Sequence, residues 1–145
     1  MKVLIDADGC PVVEITAELC RKYKVKCVAV CDTAHVLNLD GIEAITVSKG
    51  RDSADFVIVN LLDKGDIVVT QDYGLGAMCL ARGARAVNQD GLEYRSDNVD
   101  GLLMARHIAR KIRAGGGRLK GKPPRKPEQD AAFASKLNEM LAVSD

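Results

Sequence analysis

The chain has no tryptophan and five other aromatic residues, Tyr23, Phe56, Tyr73, Tyr94 and Phe133. Recognition of single-stranded bases by stacking needs several exposed rings, so a base-stacking platform is not expected here. Histidine is equally scarce, at two residues, and the five cysteines, at 10, 20, 27, 31 and 79, form no CxxC pair. An odd cysteine count excludes a closed disulfide framework, and three of the five lie inside apolar runs, where cysteine behaves as a small core residue. A reducing cytoplasm is the expected location. No apolar run approaches the ~18 residues that cross a bilayer, so neither a signal peptide nor a transmembrane helix is expected.

What is present suits one globular domain spanning residues 1–145, with 47% hydrophobic residues. Net charge is +1, but it is unevenly spread. Residues 1–100 carry 11 Lys and Arg against 16 Asp and Glu, whereas residues 101–145 carry 10 against 4. Arg106 to Lys126 holds nine basic residues and no acid. Such a run raises the local concentration of a polyanion, and nucleic acid is the leading candidate; a solvated helix face with a linker is the alternative.

The N-terminus reads Val3-Leu4-Ile5-Asp6-Ala7-Asp8-Gly9-Cys10-Pro11, an apolar strand ending in two carboxylates, a turn, and a residue suited to the first turn of a helix. Helical spacing follows over 12–23, and 26–31 alternates into a second strand. Further strands are expected at 43–47, 66–70 and 84–87, with helices at 53–63, 73–82 and 97–114. A Gly/Pro-rich basic loop over 115–127 then leads to a C-terminal amphipathic helix, 128–143, expected to dock on the domain. These are α/β units. They predict a three-layer α/β/α fold around an open, mostly parallel sheet of order 3-2-1-4-5; the 32–42 link shows no clear crossover helix.

In such sheets ligands bind beyond the carboxyl ends of the strands, where the order reverses. If strand one neighbours strand four, Asp6, Asp8 and Asp72 converge in one crevice, and Asp52 and Asp55, three apart at a helix start, could complete it. Carboxylates without nearby His or Cys are hard oxygen ligands that suit Mg²⁺ or Mn²⁺ rather than zinc, and two such ions can drive an in-line phosphodiester displacement. Each acid has a structural alternative. Asp6 or Asp8 could cap the first helix, Asp52 the helix at 53, and Asp72 the one after it, with Thr70 and Gln71 as ordinary strand-end residues.

Four segments, Ile5-Asp6-Ala7-Asp8-Gly9-Cys10-Pro11-Val12, Gly50-Arg51-Asp52-Ser53-Ala54-Asp55, Val69-Thr70-Gln71-Asp72-Tyr73-Gly74-Leu75 and Gly116-Gly117-Arg118-Leu119-Lys120-Gly121, together resemble the YaiI/YqxD family of bacterial proteins. The resemblance covers nearly the whole chain. It implies a PIN-like nuclease fold whose acids, at the ends of strands one and four and on an intervening helix, bind metal. Carried over by position, it points to Asp6, Asp8, Asp52, Asp55 and Asp72, of which Asp6, Asp8 and Asp72 would be catalytic. Arg118, Lys120 and Lys122 of the basic loop would contact nucleic acid, with single-stranded RNA favoured. Pro127-Glu128-Gln129-Asp130 keeps only part of the family's acidic last-helix segment, which leaves Asp130 without an assigned role. Three other readings stand beside this one. In the first, a haloacid dehalogenase-like phosphatase, Asp6 attacks phosphorus and Thr70 and Lys49 assist, although no Asp-Asp pair follows. The second is thiol chemistry at Cys10, where a helix N-terminus and the neighbouring acids pull the pKa in opposite directions. The third is a domain that binds RNA or protein without cutting. Self-association is left open.

Overall fold

The computed structural model describes residues 1–32, 40–48, 54–116 and 124–143. Among them are six strands, β1 (Lys2–Asp6), β2 (Lys26–Asp32), β3 (Ile42–Val47), β4 (Ile67–Val69), β5 (Arg85–Val87) and β6 (Glu93–Tyr94). Five helices accompany them, α1 (Val13–Tyr23), α2 (Ala54–Leu61), α3 (Tyr73–Ala81), α4 (Ser96–Ala114) and α5 (Pro127–Val143). The strands form one sheet of order β3-β2-β1-β4-β5-β6, parallel throughout except for the β5–β6 pair. The expected order 3-2-1-4-5 is therefore present, extended by an antiparallel edge strand too short to leave a periodic signal.

The sheet is covered on both faces, which makes the fold three-layered. Phe133, Leu137, Met140 and Leu141 of α5 pack with α1 residues Val13 and Cys20 over one face. Ile58 of α2, Leu75 and Cys79 of α3 and Val99 of α4 cover the other. Double coverage corrects the alternation expected for β2: Cys27 to Cys31 are all buried, as a central parallel strand requires. On α2 Ile58 is buried while Leu61 is exposed, and Leu62, just past the helix end, is buried.

Two glycines shape the route to the site. Gly9 takes a φ of +71°, which turns the chain sharply after β1. At Gly76, a Cβ would stand 2.8 Å from the Tyr94 ring, so α3 can lie this close to β6 only without a side chain there. The 32–42 link, in which no crossover helix was evident, falls largely outside the described residues, as do Lys49, Asp52, Arg118, Lys120 and Lys122.

Candidate functional site: an acidic crevice at the carboxyl edge of the sheet

β1 lies between β2 and β4, with Asp6 paired to Val30 and Ile5 to Val69. This is where the strand order reverses, and it sets the acid after β1 beside the acid after β4. Asp6, Asp8 and Asp72 line one open crevice of about 650 Å³, together with Gly9, Gln71 and Tyr73, and with Ala105, Ala109 and Arg113 of α4. Asp55, in the first turn of α2, is near enough for its charge to act on Asp6.

Hydrogen bonds from neighbouring segments hold Asp6, Asp8 and Asp72. The Thr70 hydroxyl donates to Asp6 Oδ2 at 2.9 Å and accepts the Asp72 N–H at 3.0 Å. Thr70 is itself buried, and its carbonyl accepts the Tyr94 hydroxyl at 2.9 Å. One side chain thus spans the two strand ends and fixes Asp6 relative to Asp72. Asp8 Oδ2 accepts the Asp32 N–H at the end of β2, at 3.0 Å. Asp72 Oδ1 accepts the N–H groups of Gly74 and Leu75 at 2.8 and 3.3 Å, so it is the N-cap of α3, the structural role open to it from sequence. That role does not extend to the first motif: α1 starts from Val12 without a side-chain cap, while Asp6 accepts from Thr70, just beyond β4, and Asp8 from Asp32 of β2.

Electrostatics set Asp6 apart. Burial raises its pKa from 3.8 to about 6 against the lowering effect of the Thr70 hydrogen bond, and the charges of Asp55, Asp72 and Asp8 raise it further. Asp66, at the opposite edge of the sheet, shows what an acid serving structure alone looks like. It is buried, accepts the Lys2 N–H at 3.0 Å and pairs with Lys2 Nζ at 2.7 Å. Among the described residues the crevice lining holds three acids and one basic side chain, Arg113 of α4.

Two side chains in the basic and reactive inventory are reassigned. Arg125 is turned inward: Nε reaches Asp130 Oδ1 at 2.7 Å, Nη1 reaches Asp90 Oδ1 at 2.8 Å, and Nη2 reaches the Gln89 carbonyl at 2.6 Å. The basic run is therefore not uniformly available to a polyanion, and Asp130 helps to latch α5 to the β5–β6 turn. At Cys10 burial pushes the thiol pKa up, with Asp6 adding to it and a backbone hydrogen bond at Val12 and the Arg125 charge opposing it; a protonated thiol is a poor nucleophile.

An α/β protein with an acidic crevice at the reversal point of a parallel sheet is thus the class defined by fold and site. The family model described as "Uncharacterized BCR, YaiI/YqxD family" matches residues 4–143. The chain belongs to this family. A UPF0178 protein of Exiguobacterium sibiricum is 49% identical over 141 residues, covering 97% of this chain and 96% of its own. Its counterpart in Natranaerobius thermophilus is 45% identical with the same coverage, and that of Clostridium acetobutylicum is 41% identical over 143 residues, or 97% of each chain. No solved structure matches the chain.

Proposed function

We propose that the protein is a metal-dependent phosphodiesterase acting on single-stranded nucleic acid, RNA in the first instance, in a PIN-like arrangement. The observation that carries this reading is the convergence of Asp6, Asp8 and Asp72 on one open crevice, with Asp55 near enough to press on Asp6. Mutually repelling carboxylates in a partly desolvated site gain most from a bound cation, and oxygen donors favour Mg²⁺ or Mn²⁺. Among the described residues, no three His, Cys, Asp or Glu side chains come together closely enough to hold one ion. That fits a Mg²⁺ type of site, in which one or two carboxylates act with water and substrate phosphate oxygens, better than an all-protein cage. When bound, the ion would supply Lewis acidity and a more acidic water. The chain's own part is to fix Asp6 and Asp72 through Thr70, to face them with Arg113, which can hold a phosphate oxygen, and to leave the crevice open to an extended strand.

Asp52, Arg118, Lys120 and Lys122 remain assigned from the sequence. Arg118 and Lys120 sit among glycines, where the backbone can follow a phosphate chain, and each cation that neutralises a phosphate on a single strand contributes ~0.7 to the slope of log affinity against log salt. Arg118→Ala/Lys120→Ala should weaken RNA binding at low salt and flatten that slope by about 1.4. Wild-type affinity and slope in the double variant would make the loop a linker.

A second reading is a domain that binds RNA without cutting it. Metal linkage separates the two. Mn²⁺ or Mg²⁺ should raise the melting temperature of the protein in proportion to the logarithm of its concentration, and the shift should vanish in Asp6→Asn and Asp72→Asn. Asn caps helices as well as Asp does, so the second variant keeps α3 intact. An unchanged metal response in both variants would remove the acidic-site reading.

A further inference from the structure

Of the described side chains of α4, only Val99 is buried. On the opposite side, Met104, Ile108 and Ile112 follow one another at four-residue spacing and are 59%, 50% and 40% exposed. Single exposed aliphatics are ordinary, whereas a row of them along one helix face is the pattern of a helix that packs on another. The 3.6-residue period carries the same face back to Gly101 and Asp97, with Asp100 and Lys111 on its flank. Glycine in a helix interior is less favourable than alanine, yet a Cβ at Gly101 would meet nothing within 4 Å. Among the described residues no packing accounts for the missing side chain, and the space above it is open to a close approach.

We propose that this face is the interface of a homodimer in which α4 packs antiparallel on α4 of a second copy about a two-fold axis. The charge pattern selects that occupant. The helix begins with Asp97 and Asp100 and ends with Arg110, Lys111 and Arg113. In the antiparallel pairing Met104 lies against Ile108 of the second copy, and Lys111 arrives beside its Gly101 on the flank that carries its Asp100, while Asp97 of each copy is paired with its own Arg95 at 3.1 Å. A parallel pairing would set acids against acids and bases against bases. A nucleic acid strand would be repelled by the acidic end and would gain nothing from the aliphatic row. Two-fold symmetry makes every contact occur twice, so three aliphatic residues and one charge pair become a continuous seam. Ala105, Ala109 and Arg113 face the crevice from an adjoining side of the helix, which leaves the acidic site open in the dimer. One helix pair buries less than the ~800 Å² per partner of a stable complex, so the dissociation constant should be micromolar in order of magnitude.

Sedimentation equilibrium of the full chain from about 1 to about 200 µM brackets that range. A monomer–dimer equilibrium is expected. Ile108→Glu, at an exposed position that leaves the fold and its circular dichroism intact, should raise the dissociation constant at least about tenfold. Lys111→Glu should weaken association by about fivefold, and Asp100→Lys in the same chain should restore most of it by exchanging the partners of one pair. A protein that stays monomeric over the whole range overturns the proposal. So does a dimer that Ile108→Glu leaves unchanged, or one that the second charge reversal fails to rescue.

Discussion

Asp6→Asn is expected to stabilise the metal-free protein by about 1–2 kcal/mol at pH 7, an unusual sign for a partly buried polar site. The folded-state pKa of Asp6 stands at about 6, above its ordinary 3.8. A group whose folded pKa is raised binds its proton more tightly in the fold, so stability falls as pH rises from about 4 to about 6 and stays reduced above that. Full conversion of that shift would overstate the gain, because part of the carboxylate remains in contact with water. Asparagine carries no charge, its oxygen can still accept the Thr70 hydroxyl, and its amide can face the neighbouring acids. The variant should therefore lose the downward slope between pH 4 and 6 in a urea-melt series. Glu93 does not blur this window: Arg85 and Lys136 hold its pKa below the ordinary 4.5, so its contribution is lost on acidification, with the opposite sign. A variant less stable than the parent at pH 7 without metal would contradict the electrostatic description of the crevice.

Phe133→Ala should cost about 3–5 kcal/mol, enough to unfold much of the population of a domain of ordinary stability. Phe133 is completely buried, and with Leu137, Met140 and Leu141 it closes the same core as Val3, Ile5 and Val69. The last helix is thus part of the structure that holds β1 and β4, and through them the acids, in place. Chemical denaturation of the variant measures the loss directly. A cost below about 1 kcal/mol would mean that α5 is an appendage and that the core closes without it.

Much of this arrangement is legible in the chain because it rests on short-range signals. The apolar run at Val3, the turn at Gly9 and the polar stop after Val69 mark strand ends, and strand ends are where open sheets keep their sites. The parallel order then brings Asp6, Asp8 and Asp72 together without further information. Other features depend on partners distant in sequence. The Thr70 hydroxyl bonds Asp6 across 64 residues, and its only signal was a polar residue closing an apolar strand. Arg125 looked like one more cation in a basic run, and only the docking of α5 next to Asp90 turns it inward. Arg113 enters the crevice wall because of where α4 packs, which periodicity does not specify. β2 misled in another way. Its alternation suggested one buried face, but a strand covered from both sides buries every residue.

Incubation of the purified protein with end-labelled single-stranded RNA and DNA, in Mg²⁺, in Mn²⁺ and in excess chelator, with Asp6→Asn alongside, tests the central claim most directly. Metal-dependent cleavage by the parent, abolished by chelator and reduced by at least about a thousandfold in the variant, is the predicted result. Intact substrate under every metal condition, or equal cleavage by parent and variant, would contradict it.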